Sequence, residues 1–146
     1  MENALEFWQY LDELVASSRI VIDRPQGSTH PRFPGQVYPL DYGYLDGTTS
    51  PDGGGIDIWL GSQAAGLVAA GSAAAGSAAA GSDAAGSQAT PQITGVLCTV
   101  DLLKRDGELK LLIGCTNQDV QCILQFVNSH SMRAIYIPTA RRHAGG

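Results

Sequence analysis

A chain of 146 residues, 44% hydrophobic and 16% charged, encloses one core and is too short for two comfortable ones. Its net charge of -5 and pI near 4.9 argue against a basic nucleic-acid-binding surface, and leave room for a polyanionic ligand only where divalent cations stand between it and the protein's carboxylates. With no basic leader and no apolar run long enough to cross a bilayer, the chain is expected in the cytoplasm, away from membranes; Cys98, Cys115 and Cys122, at spacings that match no zinc pattern, are expected as reduced core residues.

From Glu2 to Ala16, Leu5, Trp8, Leu11 or Asp12, and Val15 recur at helical spacing, with Phe7 and Leu14 widening the stripe, which predicts an amphipathic helix. Ile20 to Ile22 is β-branched and predicts a strand running into Arg24-Pro25. Proline and glycine then dominate as far as Gly47, and a long, irregular but fixed loop is expected there. Ile56, Ile58 and Leu60 alternate with Asp57 and Trp59, so a strand here has one aliphatic face and projects Asp57 away from it. Between Gly61 and Gln92 the chain is almost wholly Gly, Ala, Ser and Gln. Its glycines recur every five residues from Gly61 to Gly86, which is neither a helical nor a strand period. A flexible insertion at about 62-92, interrupting a single domain, is expected.

Ile93 to Val100 and Glu108 to Cys115 predict two strands, with Asp106-Gly107 as the hairpin-turn signal between them. Thr116 followed by Asp119 is a capping-box variant, and Val120, Ile123, Leu124 and Val127 continue it as a helix that covers a sheet or barrel. Ala134 to Ile137 predicts a closing strand, and the tail from Ala140 is expected to fray. The expected fold is mainly β (α+β), an OB-like five-stranded β-barrel with flanking N- and C-terminal helices.

Three stretches carry the chemistry: Arg24-Pro25-Gln26-Gly27-Ser28, Tyr38-Pro39-Leu40-Asp41-Tyr42-Gly43-Tyr44, and Asp52-Gly53-Gly54-Gly55-Ile56-Asp57. After the insertion come Gly95-Val96-Leu97, Asp101, Glu108 and Lys110. In order and spacing, over about Ile22 to Leu112 without the insertion, these resemble the soluble (family I) inorganic pyrophosphatases. That family shows a Pro-x-Gly-Ser turn, Tyr-Pro-x-Asn-Tyr-Gly and Asp-Gly-Asp-Pro-x-Asp. The resemblance implies hydrolysis of inorganic pyrophosphate to two phosphates with Mg2+, and a possible homo-oligomer. It implies magnesium on Asp52, Asp57, Asp101 and Glu108, with Asp52 near the attacking water. Tyr42 would set that water's hydrogen bonds, while Lys110, Arg32 and Tyr38 would bind phosphate and Asp23 would stand at the mouth.

The chemistry needs such residues because pyrophosphate repels a nucleophile. Magnesium on spaced carboxylates shields that charge and acidifies water, while Lys, Arg and phenolic hydroxyls orient the phosphoryl oxygens. Departures from the family pattern are also plain. Gly54 stands where the central acid is expected, Asp41 replaces an Asn, and the Tyr-Lys pair of the C-terminal helix is not recognisable around Ser129-His130-Ser131-Met132. They keep open a second reading, a metal- and phosphate-binding protein of weak or absent turnover.

Simpler roles exist for each residue. Asp52 suits a turn, Tyr38 and Tyr42 suit a core, Arg32 and Asp23 suit a structural ion pair, and Asp101, Glu108 and Lys110 suit an exposed hairpin. His30 reads as a loop residue, and no nucleophile elbow or P-loop occurs.

Overall fold

The computed structural model describes residues 2–64 and 92–140. Apart from 62–64, 92 and 140, the expected insertion and frayed tail lie outside the described residues. Helix α1, Glu2–Ala16, buries Trp8, Leu11 and Val15 as its apolar spacing predicts. It stops where the Ser17 and Ser18 hydroxyls donate to the carbonyls of Glu13 and Leu14, giving partners to the last turn.

Strands β1 (Arg19–Arg24), β2 (Asp41–Asp46), β3 (Ile56–Leu60), β4 (Ile93–Asp101), β5 (Asp106–Ile113) and β6 (Met132–Pro138) form one sheet of order β1-β2-β3-β5-β4-β6. Helix α2, Asn117–Val127, joins β5 to β6. Only β3 and β5 run parallel; the other neighbours are antiparallel. The α+β class and the terminal helices stand, but the five-stranded barrel gives way to six strands whose edges, β1 and β6, do not pair among the described residues. Packing explains the open form. Helix α1 covers one face of the sheet and α2 the other, so neither face has to curl inward to leave water.

The sixth strand is β2, in the stretch expected to be loop. Tyr42, Tyr44 and Leu45 are good strand residues, and Gly43 marks a close backbone approach: a Cβ there would stand 1.8 Å from the Val21 carbonyl oxygen. The rest of the expected loop is fixed by its own ladder, with Gly27 N–H donating to Tyr38 O, Tyr38 N–H to Ser28 O and His30 N–H to Gln36 O, each at 2.9 Å. The β4–β5 turn also differs from expectation. It consists of residues 102–105, with Arg105 at φ 57°, while Asp106 and Gly107 already belong to β5.

The capping box at α2 forms with Asp in the acid position. Asp119 N–H donates to Thr116 Oγ1 at 3.0 Å, and Thr116 N–H donates to Asp119 Oδ2 at 2.9 Å. Asp119 Oδ2 also accepts from Ser62 N–H and Oγ, both at 2.8 Å, which pins the 3-10 turn Ser62–Ala64 to the head of the helix. Ala64 is buried, and a Cβ on Gly114 would stand 2.6 Å from its Cβ, so residues 62–64 belong to the packed domain rather than to an insertion. Of the three free cysteines, Cys115 is buried and its thiol is pushed up to about 12, chiefly by burial. Cys98 is half-buried, whereas Cys122 is exposed on the outer side of α2 and is not a core residue. No described helix is long and apolar enough to cross a membrane.

Candidate active site

Strand alternation decides what lies on each side of the sheet. Ile56, Ile58 and Leu60 of β3 and Leu109, Leu111 and Ile113 of β5 enter the layer beneath α1. Their neighbours Asp57, Trp59, Glu108 and Lys110 open on the opposite face, into a cavity of about 310 Å³. Because β5 lies directly beside β3, Lys110 Nζ donates to Asp57 Oδ2 at 2.8 Å, to Glu108 Oε1 at 3.1 Å and to Tyr42 Oη at 3.0 Å. Those three acceptors use every proton of the ammonium.

Lys110 is 6% exposed, a burial that an isolated ammonium would not tolerate. Burial works against its charge, but Tyr42 and Asp57 outweigh that and hold its pKa above the ordinary lysine value. Burial raises the Tyr42 phenol well above its ordinary value, more than the nearby ammonium lowers it, so Tyr42 is a neutral hydroxyl beside a charged lysine. Trp59 completes this floor. It packs edge-on to Tyr42 at 4.8 Å, and its buried indole N–H has no hydrogen-bond partner among the described residues.

Asp52 stands in a turn and Asp101 at the end of β4. Asp52 Oδ1 accepts from Gly54 N–H at 2.9 Å and from Ser50 Oγ at 2.8 Å, and these bonds, the backbone one first, lower its pKa. Asp101 Oδ1 accepts from Ser131 Oγ at 2.6 Å and from the N–H groups of Leu103 and Lys104, and Ser131 is the main cause of its lowered pKa. Arg24, at the end of β1, donates to Tyr38 Oη at 2.7 Å. Its register partner is Tyr42, which puts its guanidinium on the same wall. Six carboxylates, Asp23, Asp52, Asp57, Asp101, Asp106 and Glu108, thus share one cavity with Arg24, Lys104 and Lys110.

Among solved structures, an inorganic pyrophosphatase from Neisseria gonorrhoeae matches with a TM-score of 0.50 at 17% identity, over 82% of this chain and 81% of that one. The chain has the fold of an inorganic pyrophosphatase. Another, from Coxiella burnetii, matches with a TM-score of 0.46 at 11% identity, over 80% of this chain and 81% of that one. No family model matches the chain, and no curated protein does.

On this pyrophosphatase-like fold, Tyr38, Tyr42, Asp52, Asp57, Asp101, Glu108 and Lys110 all line the cavity, as does Asp23. Arg32 is exposed and is not among the lining residues; its N–H donates to His30 Nδ1 at 3.0 Å. Asp41 also lies off the cavity wall, where its Oδ1 accepts from Gln26 N–H at 2.8 Å and fixes the turn after β1. Sequence reasoning missed Arg24, Lys104 and Asp106 as site residues. For Arg24 the signal was present: it is two residues beyond Ile22, and reading 41–46 as a strand would have set it beside Tyr42. The lining also includes rings that no motif announced, His30, Phe33, Phe126 and His130.

Among the described residues, no three His, Cys, Asp or Glu side chains gather closely enough to hold a metal ion. Magnesium does not require that, because it keeps several waters and takes one or two protein carboxylates together with phosphate oxygens. The donor set is all hard oxygen, with carboxylates on five separate segments around one cavity, and it fits such a cation by its chemistry.

Proposed function

We propose that the chain hydrolyses inorganic pyrophosphate to two phosphates with magnesium. The observation that carries this reading is the cluster of Asp57, Glu108 and Tyr42 around the buried Lys110, at the floor of a cavity that also holds Asp52 and Asp101. Asp52, Asp57, Asp101 and Glu108 are the residues to hold magnesium, which supplies neutralisation of the diphosphate and a more acidic water.

The chain's own groups do the rest. Lys110, charged and held by three partners, meets a phosphoryl oxygen by exchanging one of its acceptors for it, so its charge follows the substrate without a change of protonation. Arg24 and Lys104 bring further positive charge to the wall, and the Tyr42 hydroxyl, kept neutral by burial, retains a proton that it can donate in a hydrogen bond to a phosphoryl oxygen. Asp52, whose lowered pKa keeps it ionised at neutral pH, is the group to orient the attacking water. The same reading makes the small anion the partner, the compartment cytoplasmic, and nucleic acid no ligand. It also implies assembly of copies, a reading supported by Ile135 and Ile137 exposed on the edge strand β6 and tested by the mass in solution.

Replacing Asp57 by Asn should lower magnesium-dependent phosphate release more than a hundredfold while the far-ultraviolet dichroism stays that of the parent. Full turnover in that variant would remove the central metal assignment.

A second reading, binding without turnover, is favoured by one observation. Where an acid would strengthen the cation seat, Gly54 offers only its N–H to Asp52. A Cβ at Gly54 would meet Asp52 Oδ1 at 3.5 Å, an ordinary contact, so Gly54→Asp can be built. Under the hydrolase reading that variant raises magnesium-dependent turnover. Tighter magnesium binding with no phosphate released by either form favours the binding protein.

A further inference from the structure

The diphosphate chemistry leaves the aromatic part of the cavity unused. Phe33 lies flat on His130, with ring centroids 3.9 Å apart and planes 14° from parallel. His30 stands 5.0 Å from Phe33 and is parallel to Tyr38 within 4° at 6.1 Å. Tyr38 adjoins Tyr42 at 5.4 Å, and the Tyr42 hydroxyl meets Lys110. A succession of rings therefore leads from the charged cluster to Phe33 and His130, all on the wall of one cavity. His130 is exposed, while Phe33 and His30 are half-buried, so ring surface remains open to a ligand.

His30 is a neutral ring. Its Nδ1 accepts from the N–H groups of Arg32 and Phe33, which leaves the proton on Nε2, and burial followed by the charges of Arg24 and Arg32 lowers its pKa. It adds stacking surface at neutral pH rather than another cation. A bare diphosphate has no group with which to use such rings, whereas every nucleobase has a π-face that stacks on them.

We infer that the cavity takes a phosphoanhydride bearing a planar organic group, of which a nucleoside diphosphate is the simplest, with its anhydride beside Lys110 and its base on the Phe33–His130 rings. The inference deepens the hydrolase reading above and rests on it for the anhydride end. Arg24 is placed between the two parts, bonded to Tyr38 Oη at 2.7 Å with its guanidinium 5.8 Å from that ring's centroid, where it can hold the phosphate next to the sugar. The cavity of about 310 Å³ lies at the lower end of those that hold organic ligands of this size. In the reaction, water adds to the terminal phosphorus and the bond from that phosphorus to the bridging oxygen breaks. The bridging oxygen leaves on the nucleoside monophosphate, and the proton of the water passes to solvent. Nothing is oxidised or reduced.

The competing role for these rings is a clasp. Gln36 Nε2 already ties the same loop to Phe126 O at 3.1 Å and to Ser129 Oγ at 2.8 Å. The test therefore compares ligands rather than stabilities. Binding of adenosine diphosphate and of pyrophosphate to the full chain, each with magnesium, is measured by calorimetry beside phosphate release, for the parent, Phe33→Ala and Phe33→Tyr. Adenosine diphosphate is expected to bind at least as tightly as pyrophosphate. Phe33→Ala should weaken it about tenfold more than pyrophosphate, the size of one stacked base, and Phe33→Tyr should restore it. Equal weakening of both ligands, or a parent chain that binds adenosine diphosphate tenfold more weakly than pyrophosphate, overturns the inference. Selective weakening with no phosphate released from either ligand upholds the ring subsite while defeating the hydrolase reading.

Discussion

The two faces of one sheet are built on opposite principles. Under α1, Trp8, Leu11 and Val15 meet Ile20, Ile22, Ile58, Leu111 and Ile113 in an apolar layer. Under α2, the same strands supply Leu97, Leu112 and Trp59 to a smaller apolar cluster with Val120 and Ile123, and that cluster borders Asp57, Lys110 and Glu108. The comparison teaches that β3 and β5 serve stability with every second residue and chemistry with the residues between. The dry face lets the other one carry buried charge, whose net contribution to stability is small even when it is well paired.

That contrast breaks most readily at Lys110. Its removal by Lys110→Met leaves Asp57 and Glu108 beside each other with side chains 24% and 8% exposed, and should cost about 3 to 5 kcal/mol in denaturant unfolding at pH 7. Added magnesium should restore part of the loss, since the two carboxylates are then a free cation seat. A loss that magnesium leaves untouched would count against their role as ligands. The sign with pH follows from the raised folded pKa of Lys110. Its contribution is intact below the ordinary lysine value of about 10.4 and fades only as the pH rises beyond it, so the parent's stability should show no decline from this group between neutrality and that point.

A smaller effect is expected at Asp119, which joins the two sides by capping α2 and holding Ser62. Burial opposes its charge, but the N–H groups of Thr116 and Ser62 and their hydroxyls prevail and lower its pKa. Asp119→Ala should cost about 2 kcal/mol at pH 7. Because a depressed carboxyl stabilises above its ordinary pKa, the difference from the parent should shrink as the pH falls below about 3.9. A constant difference down to pH 2 would show that packing, not charge, is what the residue contributes.

The finest contrast lies between two arginines. Arg24 reaches the cavity and Arg32 does not, so Arg24→Ala should raise the KM for pyrophosphate about tenfold, as expected for one charge-assisted contact, against less than about threefold for Arg32→Ala. The reverse order in steady-state kinetics would mean that the loop before Phe33 closes on the ligand.

Much of this was legible in the residues. Alternation through Ile56–Leu60 already sends Asp57 away from the aliphatic side, and Thr116 with Asp119 marks the head of α2, because periodicity and capping are local properties of the chain. Glycine was less informative. Gly43 looks like loop punctuation until the neighbouring strand is known to pass within a carbonyl's reach, and with it β2, the sixth strand and the open sheet were hidden. Motif order picked out Asp52, Asp57, Asp101, Glu108, the two tyrosines and Lys110, which line one cavity, but it passed over Asp106, and the stack of Phe33 on His130 joins residues far apart in the chain and has no periodic trace. Asp106-Gly107 misled because the turn before it used Arg105 in the left-handed region, where glycine or asparagine is the usual signal.

The most direct measurement is phosphate release from pyrophosphate by the full chain, with magnesium and after its removal by a chelator, beside the Tm under the same conditions. The account predicts release that requires magnesium. A folded chain whose Tm rises with magnesium and pyrophosphate, yet which frees no phosphate, would contradict it.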